Sequence, residues 1–193
     1  IPGKDTWKKA ILNSNLYTFD IERHLANYYM KSVRDVAANV PYDHICIIAN
    51  SQVYGGGGIY THYDLFTSDN PFANYVFVHE FGHSFAGLGD EYYNSEVAYE
   101  DFYNLSIEPW EPNLTTLVDF DTKWKDMVPE GTPVPTPAGD KNKYPVGAYE
   151  GGGYMTKGIY RPEHDCTMKS LSYNNFCPVC QKAIREMMEI YIH

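Results

Sequence analysis

His79-Glu80-Phe81-Gly82-His83-Ser84-Phe85-Ala86-Gly87-Leu88-Gly89-Asp90 is the stretch on which the reading of this chain turns. Two histidines four apart lie on one face of a helix, so their ring nitrogens can grip one metal ion, and Glu80 projects beside them toward a metal-bound water. Tyr75-Val76-Phe77-Val78 supplies an apolar lead-in, and Phe81 and Phe85 are expected to put the opposite helix face in a core. The competing reading is a core helix whose histidines are merely hydrogen-bonded. The favoured one is the working core of a zinc peptidase, with Glu80 as general base.

Two histidines do not complete such a site. Catalytic zinc takes three protein ligands and leaves the fourth position to water. In the metzincin pattern HExxHxxGxxH, a glycine lets the chain turn off the helix and return a third ligand to the metal. Here Gly87 and Asp90 each stand one residue later than the glycine and the last histidine of that pattern. A carboxylate oxygen is an acceptable ligand, so Asp90 is expected to join His79 and His83, in preference to its neighbour Glu91. A thermolysin-like glutamate from a second helix, Glu96 or Glu100, is the rival, but it leaves the Gly87 turn without a purpose. His62 and His164 read as surface or outer-shell histidines.

The 193 residues suit one domain. The chain opens on Ile1 and not on methionine, and is read as a piece of a longer protein. No run approaches the roughly 18 apolar residues of a membrane helix. A net charge of −10 argues against nucleic acid and anionic membrane surfaces as partners; the partner that the peptidase reading implies is a protein or peptide substrate. Of the four cysteines, Cys166, Cys177 and Cys180 crowd near the C-terminus. The second CxxC pair that a four-cysteine zinc site needs is missing. A disulfide from Cys166 to Cys177 or Cys180 is therefore expected in preference to structural zinc, with Cys46 a buried free thiol, in an oxidising compartment.

Along the chain, Asp20 to Asn39 carries apolar residues at near-helical spacing with Pro41 just beyond, and predicts an amphipathic helix. Ile45 to Ala49 is a short apolar run, expected as a buried central strand. Gly55-Gly56-Gly57-Gly58 reads as a tight turn feeding a second strand over Ile59 to Leu65. Such a turn before an edge strand lets an extended peptide pair with the backbone, so Gly57, Gly58 and Tyr60 are candidate substrate-binding residues, against the plainer reading of a simple hairpin. From Asn94 to Gly153 repeated prolines rule out long helices, and Pro178 to Ile192 predicts a closing helix.

The motif with Gly87-Leu88-Gly89-Asp90-Glu91-Tyr92-Tyr93 behind it, Asn50 through Gly56, Glu111-Pro112-Asn113, Lys123-Trp124-Lys125, Pro133 through Pro137, Glu150-Gly151-Gly152-Gly153-Tyr154, Gly158 through Pro162, Cys166-Thr167-Met168 and Phe176 through Cys180 together resemble the metzincin-like zinc peptidases typified by bacterial IgA peptidase. The resemblance spans roughly Asp20 to the C-terminus. It implies an α+β metzincin-like domain: a twisted, mostly parallel sheet, an active-site helix and a loop-rich C-terminal subdomain, divided at about residues 1–90 and 91–193 within one catalytic domain. It also implies one catalytic zinc, a secreted or surface-anchored bacterial endopeptidase, Met168 as the methionine turn beneath the metal, and Tyr154 as a donor to the negative oxygen of the tetrahedral intermediate. It does not imply that IgA is the substrate. The alternative function is a protein- or glycan-binding module on a degenerate peptidase fold, its surface supplied by the 18 tyrosines. The intact His79, Glu80 and His83 argue against it.

Overall fold

The computed structural model describes residues 11–16, 18, 23–93, 101–139, 143–171 and 175–192. The chain falls into two units, Ile1–Phe85 and Ala86–His193. The first holds helix α1 (Met30–Ala37), strands β1 (Cys46–Ala49), β2 (Gly56–Ile59) and β3 (Tyr63–Thr67), and the motif helix α2 (Ala73–Ala86). β3 is the middle strand, parallel to β1 and antiparallel to β2. The short link Tyr60–His62 dictates the second pairing, because a parallel return needs a crossover of a dozen or more residues. The expected mostly parallel sheet is thus a mixed one among the described residues.

Three local expectations change with it. β1 is an edge strand and not a central one: Ile47 is 6 % exposed and packs with Leu25, Val33, Tyr63 and Leu65, whereas Ile48 is 63 % exposed. The continuous apolar run concealed an ordinary strand alternation. Among the described residues, the predicted helix over Asp20–Asn39 is helical only from Met30. Asp20, Ile21 and Glu22 lie outside the described residues, and His24 and Ala26 form bridges with Gly56 and Asn15. Asn27 turns the chain into the helix by accepting the Tyr29 N–H on its side-chain oxygen at 2.7 Å, the local bond that makes asparagine a turn residue.

The third change explains the glycine run. Gly56, Gly57 and Gly58 are strand, not turn, and alternate glycines face the motif helix. A Cβ on Gly56 would stand 2.5 Å from Glu80 Oε1 and from Val76 Cγ1, and one on Gly58 would stand 2.4 Å from the Glu80 carbonyl oxygen. Gly57 faces the other way, 2.3 Å from the Leu25 carbonyl oxygen by the same measure. With side chains at these positions α2 could not lie on the sheet.

In the second unit, β4 (Tyr149–Gly152) and β5 (Met155–Arg161) form an antiparallel hairpin. Gly153 and Tyr154 both have positive φ, 55° and 65°, as a two-residue hairpin turn matched to strand twist requires. Leu114, Met155 and Ile159 make a small core, and Trp124, 1 % exposed, donates its indole N–H to the Gly147 carbonyl at 2.7 Å. Ahead of β4, the described residues of the proline-rich stretch form two short 3₁₀ turns, Phe120–Thr122 and Lys125–Met127. Helix α3 (Pro178–Ile192) closes the chain, as its periodicity predicts.

Candidate active site

Asn70 and Pro71 set up the motif helix. The Asn70 side chain accepts the Phe72 N–H at 3.0 Å and donates to the Thr67 carbonyl at 2.9 Å, which fixes where the chain leaves β3. Along α2, Phe77, Phe81 and Phe85 recur at helical spacing. Phe81 and Phe85 stack at 4.8 Å, Phe77 meets Phe66 of β3, and both Phe81 and Phe85 meet the His44 ring. This aromatic column is the anchoring face, only partly buried and not the deep core the periodicity predicts.

The other face carries the chemistry. His79, 8 % exposed, and His83 bring their Nε2 atoms to 3.1 Å, with the rings nearly perpendicular at 84°. Two nitrogens held about 2.05 Å from one tetrahedral ion stand about 3.3 Å apart, so the pair fits a shared metal. The second nitrogen of His79 faces the Tyr75 hydroxyl at 3.4 Å, the kind of outer partner that fixes a ligating imidazole's orientation. Glu80 lies along β2 in the space that Gly56 leaves open. His62 is exposed and takes no place in this group.

On the second unit, Gly87 follows the last residue of α2 with φ of 64°, the left-handed conformation that ends helices. The strap behind it is held by Asn113, whose side chain accepts the Gly89 N–H at 2.7 Å and donates to the Gly89 carbonyl at 2.9 Å. Asp90 is 6 % exposed. Its Oδ2 accepts the Tyr154 hydroxyl and its carbonyl accepts the Gly153 N–H at 2.8 Å. Tyr154 N–H in turn donates to the Tyr92 carbonyl at 3.0 Å, so the strap and the hairpin turn are laced together. The Tyr154 hydroxyl therefore engages Asp90, which the sequence does not reveal. Glu96 and Glu100, the rival third ligands, lie outside the described residues.

Glu91, the neighbour passed over as third ligand, is wholly buried. Its Oε1 accepts from Asn113 at 2.9 Å and faces Cys180 Sγ at 3.3 Å. Burial raises its pKa well above the carboxylate range, with the Cys166 charge adding to the rise, against hydrogen bonds from Asn113 and Cys180. Met168 is also wholly buried, in a turn where Lys169 and Ser170 N–H groups close on the Cys166 carbonyl.

The expected disulfide is absent: all four cysteines are free. Cys166, Cys177 and Cys180 surround a common point together with Glu91, so no sulfur has one preferred partner. Hydrogen bonds from Cys177 and Cys180 pull the Cys166 thiol down to about 3. Cys46 is exposed and not buried. Its sulfur nevertheless donates to Asp64 Oδ2 at 2.7 Å, and burial of that sulfur with the Asp64 carboxylate pushes the thiol up to about 12. Asp64, wholly buried, also meets His44 Nε2 at 2.5 Å. Ser84 Oγ stands 3.3 Å from the same nitrogen, which excludes a Ser-His-Asp relay, since that needs the aspartate on the opposite ring nitrogen. The sequence does not place Glu91 beside the three cysteines; its one trace there is that they lack a fourth donor.

The family model of IgA Peptidase M64 matches residues 1–144 and 138–188. No curated protein matches the chain. Among the described residues no helix is long and apolar enough to cross a membrane.

Proposed function

The chain belongs to the IgA peptidase M64 family, and from that membership we propose a zinc-dependent endopeptidase that hydrolyses peptide bonds of extracellular proteins. In this reading His79, His83 and Asp90 are the protein ligands of one zinc ion, and Glu80 is the general base. The observation that carries it is the 3.1 Å approach of the two Nε2 atoms on α2, the helix that also carries Glu80. Asp90 enters on chemistry and chain order: its carboxylate oxygen is a hard donor acceptable to zinc, and it follows within three residues of the Gly87 turn. Zinc held by these residues would lower the pKa of a bound water and polarise the scissile carbonyl.

The remaining work falls to this chain's side chains. Glu80 takes the proton of the attacking water and returns it to the departing amine. Its carboxylate lies in the space left by Gly56 of β2. Tyr154, through its bond to Asp90, holds the third ligand's carboxylate, and Met168 is assigned to the methionine turn. The substrate backbone is assigned to β2 around Gly57 and Gly58 and to Tyr60, beyond Gly56, whose N–H and carbonyl are already taken by Arg23 and Leu25. Secretion or surface anchoring is the location that suits such a substrate.

The test is cleavage of a denatured protein mixture by wild type, by chelator-treated protein and by Glu80→Ala. Chelation should abolish cleavage and zinc should restore it. Glu80→Ala should keep zinc near stoichiometric while turnover falls by a factor of about 10² to 10⁴. Undiminished activity in Glu80→Ala removes the base assignment, and activity indifferent to chelation removes the zinc reading.

A further inference from the structure

The buried group of Glu91, Cys166, Cys177 and Cys180 takes no part in the chemistry assigned above. Each offers one ligand atom, and the four atoms all lie within 4.8 Å of one another. None of the four residues is more than 1 % exposed. We propose that these residues bind a second metal ion, a structural zinc held by three thiolates and one carboxylate, separate from the peptidase site and independent of that reading.

Three observations support an ion over a packed cluster of thiols. Cys166 and Cys180 sulfurs stand 3.8 Å apart, and two sulfurs about 2.3 Å from one tetrahedral zinc stand about 3.8 Å apart. Glu91 Oε2 is buried with no hydrogen-bond partner among the described residues, a costly arrangement for a carboxylate that a metal would relieve. The backbone also points at the sulfurs as it does around metal-bound thiolates. Cys177 N–H meets Cys166 Sγ at 3.3 Å and Cys180 N–H meets Cys177 Sγ at 3.4 Å. A disulfide between any two of the cysteines would engage only two of the four donor atoms and leave the third sulfur and Glu91 Oε2 without a role.

The surroundings suit the ion. Cys177 and Cys180 form a CxxC at the start of α3, the spacing by which many zinc sites take two ligands from one turn. Asn113 orients Glu91 from outside, at 2.9 Å, while gripping Gly89 with its other bonds, the second layer that tunes metal affinity. Three thiolates and a carboxylate overbalance the charge of zinc. The buried Arg161 guanidinium acts electrostatically on Glu91 in the opposing sense. The ion would clip together three segments of the second unit: the strap after Gly87, the turn around Met168 and the head of α3.

Metal content decides the matter, read in a His79→Ala/His83→Ala double variant purified without chelator. One zinc per chain should remain in that variant, and wild type should carry two if the peptidase site binds zinc, or one if it does not. Reloaded with cobalt, the double variant should show thiolate-to-cobalt charge-transfer absorption, and adding Cys180→Ser should abolish both the band and the retained ion. A double variant without metal, one whose cobalt shows no thiolate band, or a Cys166 peptide disulfide-linked to Cys177 or Cys180 in unreduced protein would overturn the proposal. Should the Cys180→Ser protein fail to fold, the metal count and the cobalt spectrum of the double variant still decide.

Discussion

The backbone N–H of Glu91 donates to the carbonyl oxygen of Met168 at 2.8 Å. This bond joins the strap after the motif helix to a turn far along the chain, at the residue next to Asp90. Together with Gly153 N–H on the Asp90 carbonyl and Tyr154 N–H on the Tyr92 carbonyl, it holds the strap from two sides. Asp90, on an irregular segment, is thereby held by backbone bonds on itself and on the two residues after it. Its side chain is engaged by the Tyr154 hydroxyl.

That partner can be removed cleanly. Tyr154→Phe deletes the hydroxyl that Asp90 Oδ2 accepts and keeps the ring against Tyr92 and Phe102. Zinc affinity should drop by about 10- to 100-fold, the usual cost of losing an outer-layer partner, with little change in thermal stability. Competition titration against a calibrated chelator reads it, and an unchanged affinity would separate Tyr154 from the metal.

Gly58→Ala should destabilise the protein by about 1–3 kcal/mol or more, because the new methyl meets the Glu80 carbonyl oxygen, which is backbone and cannot yield cheaply. Gly139→Ala is the control, since nothing lies within 4 Å of its added carbon, and it should stay within about 0.5 kcal/mol of wild type. Denaturant midpoints of the two variants make the comparison. Equal midpoints would mean that the helix does not rest on β2.

Cys46 should be sluggish toward alkylation although its residue is exposed. With its thiol pushed up to about 12, the thiolate fraction at pH 8 is about 10³-fold below that of an ordinary cysteine, and the thiolate is the reactive form. Iodoacetamide labelling followed by mass spectrometry should show this slowness, relieved by Asp64→Asn. A wild-type rate equal to that of a free peptide thiol would contradict the Asp64 contact.

Glu163 gives the pH dependence. Burial, with the Cys166 charge second, raises its carboxyl from 4.5 to about 7. The folded protein therefore holds this proton over a window in which the unfolded chain has released it. Stability is lost as pH rises from about 4.5 through about 7. Full conversion of the shift gives about 3 kcal/mol, which half exposure reduces to about 1 kcal/mol. Glu163→Gln stays neutral, so its stability relative to wild type should improve by that amount between pH 4.5 and pH 8 in denaturant titrations. A difference that does not vary with pH would refute the raised carboxyl.

What the sequence determined by itself was local. The helix carrying His79, Glu80 and His83, its end at Gly87 and the closing helix from Pro178 follow from spacing within a few turns of chain, and they stand where that spacing puts them. The same local logic misjudged Ile45–Ala49 and Gly55–Gly58. An apolar run does not say which strand will lie beside it, and a glycine run does not say whether it turns or makes room. Tertiary structure decided those cases, through a sheet centred on β3 and a helix lying on β2. It also decided the fate of the cysteines. Cys166 meets Cys177 and Cys180 through short loops, but Glu91 reaches them only because its strap is bound to Met168 and Asn113. A fourth donor brought from so far along the chain leaves no periodic trace, since its place depends on packing and backbone bonding between distant segments and not on the residues beside it.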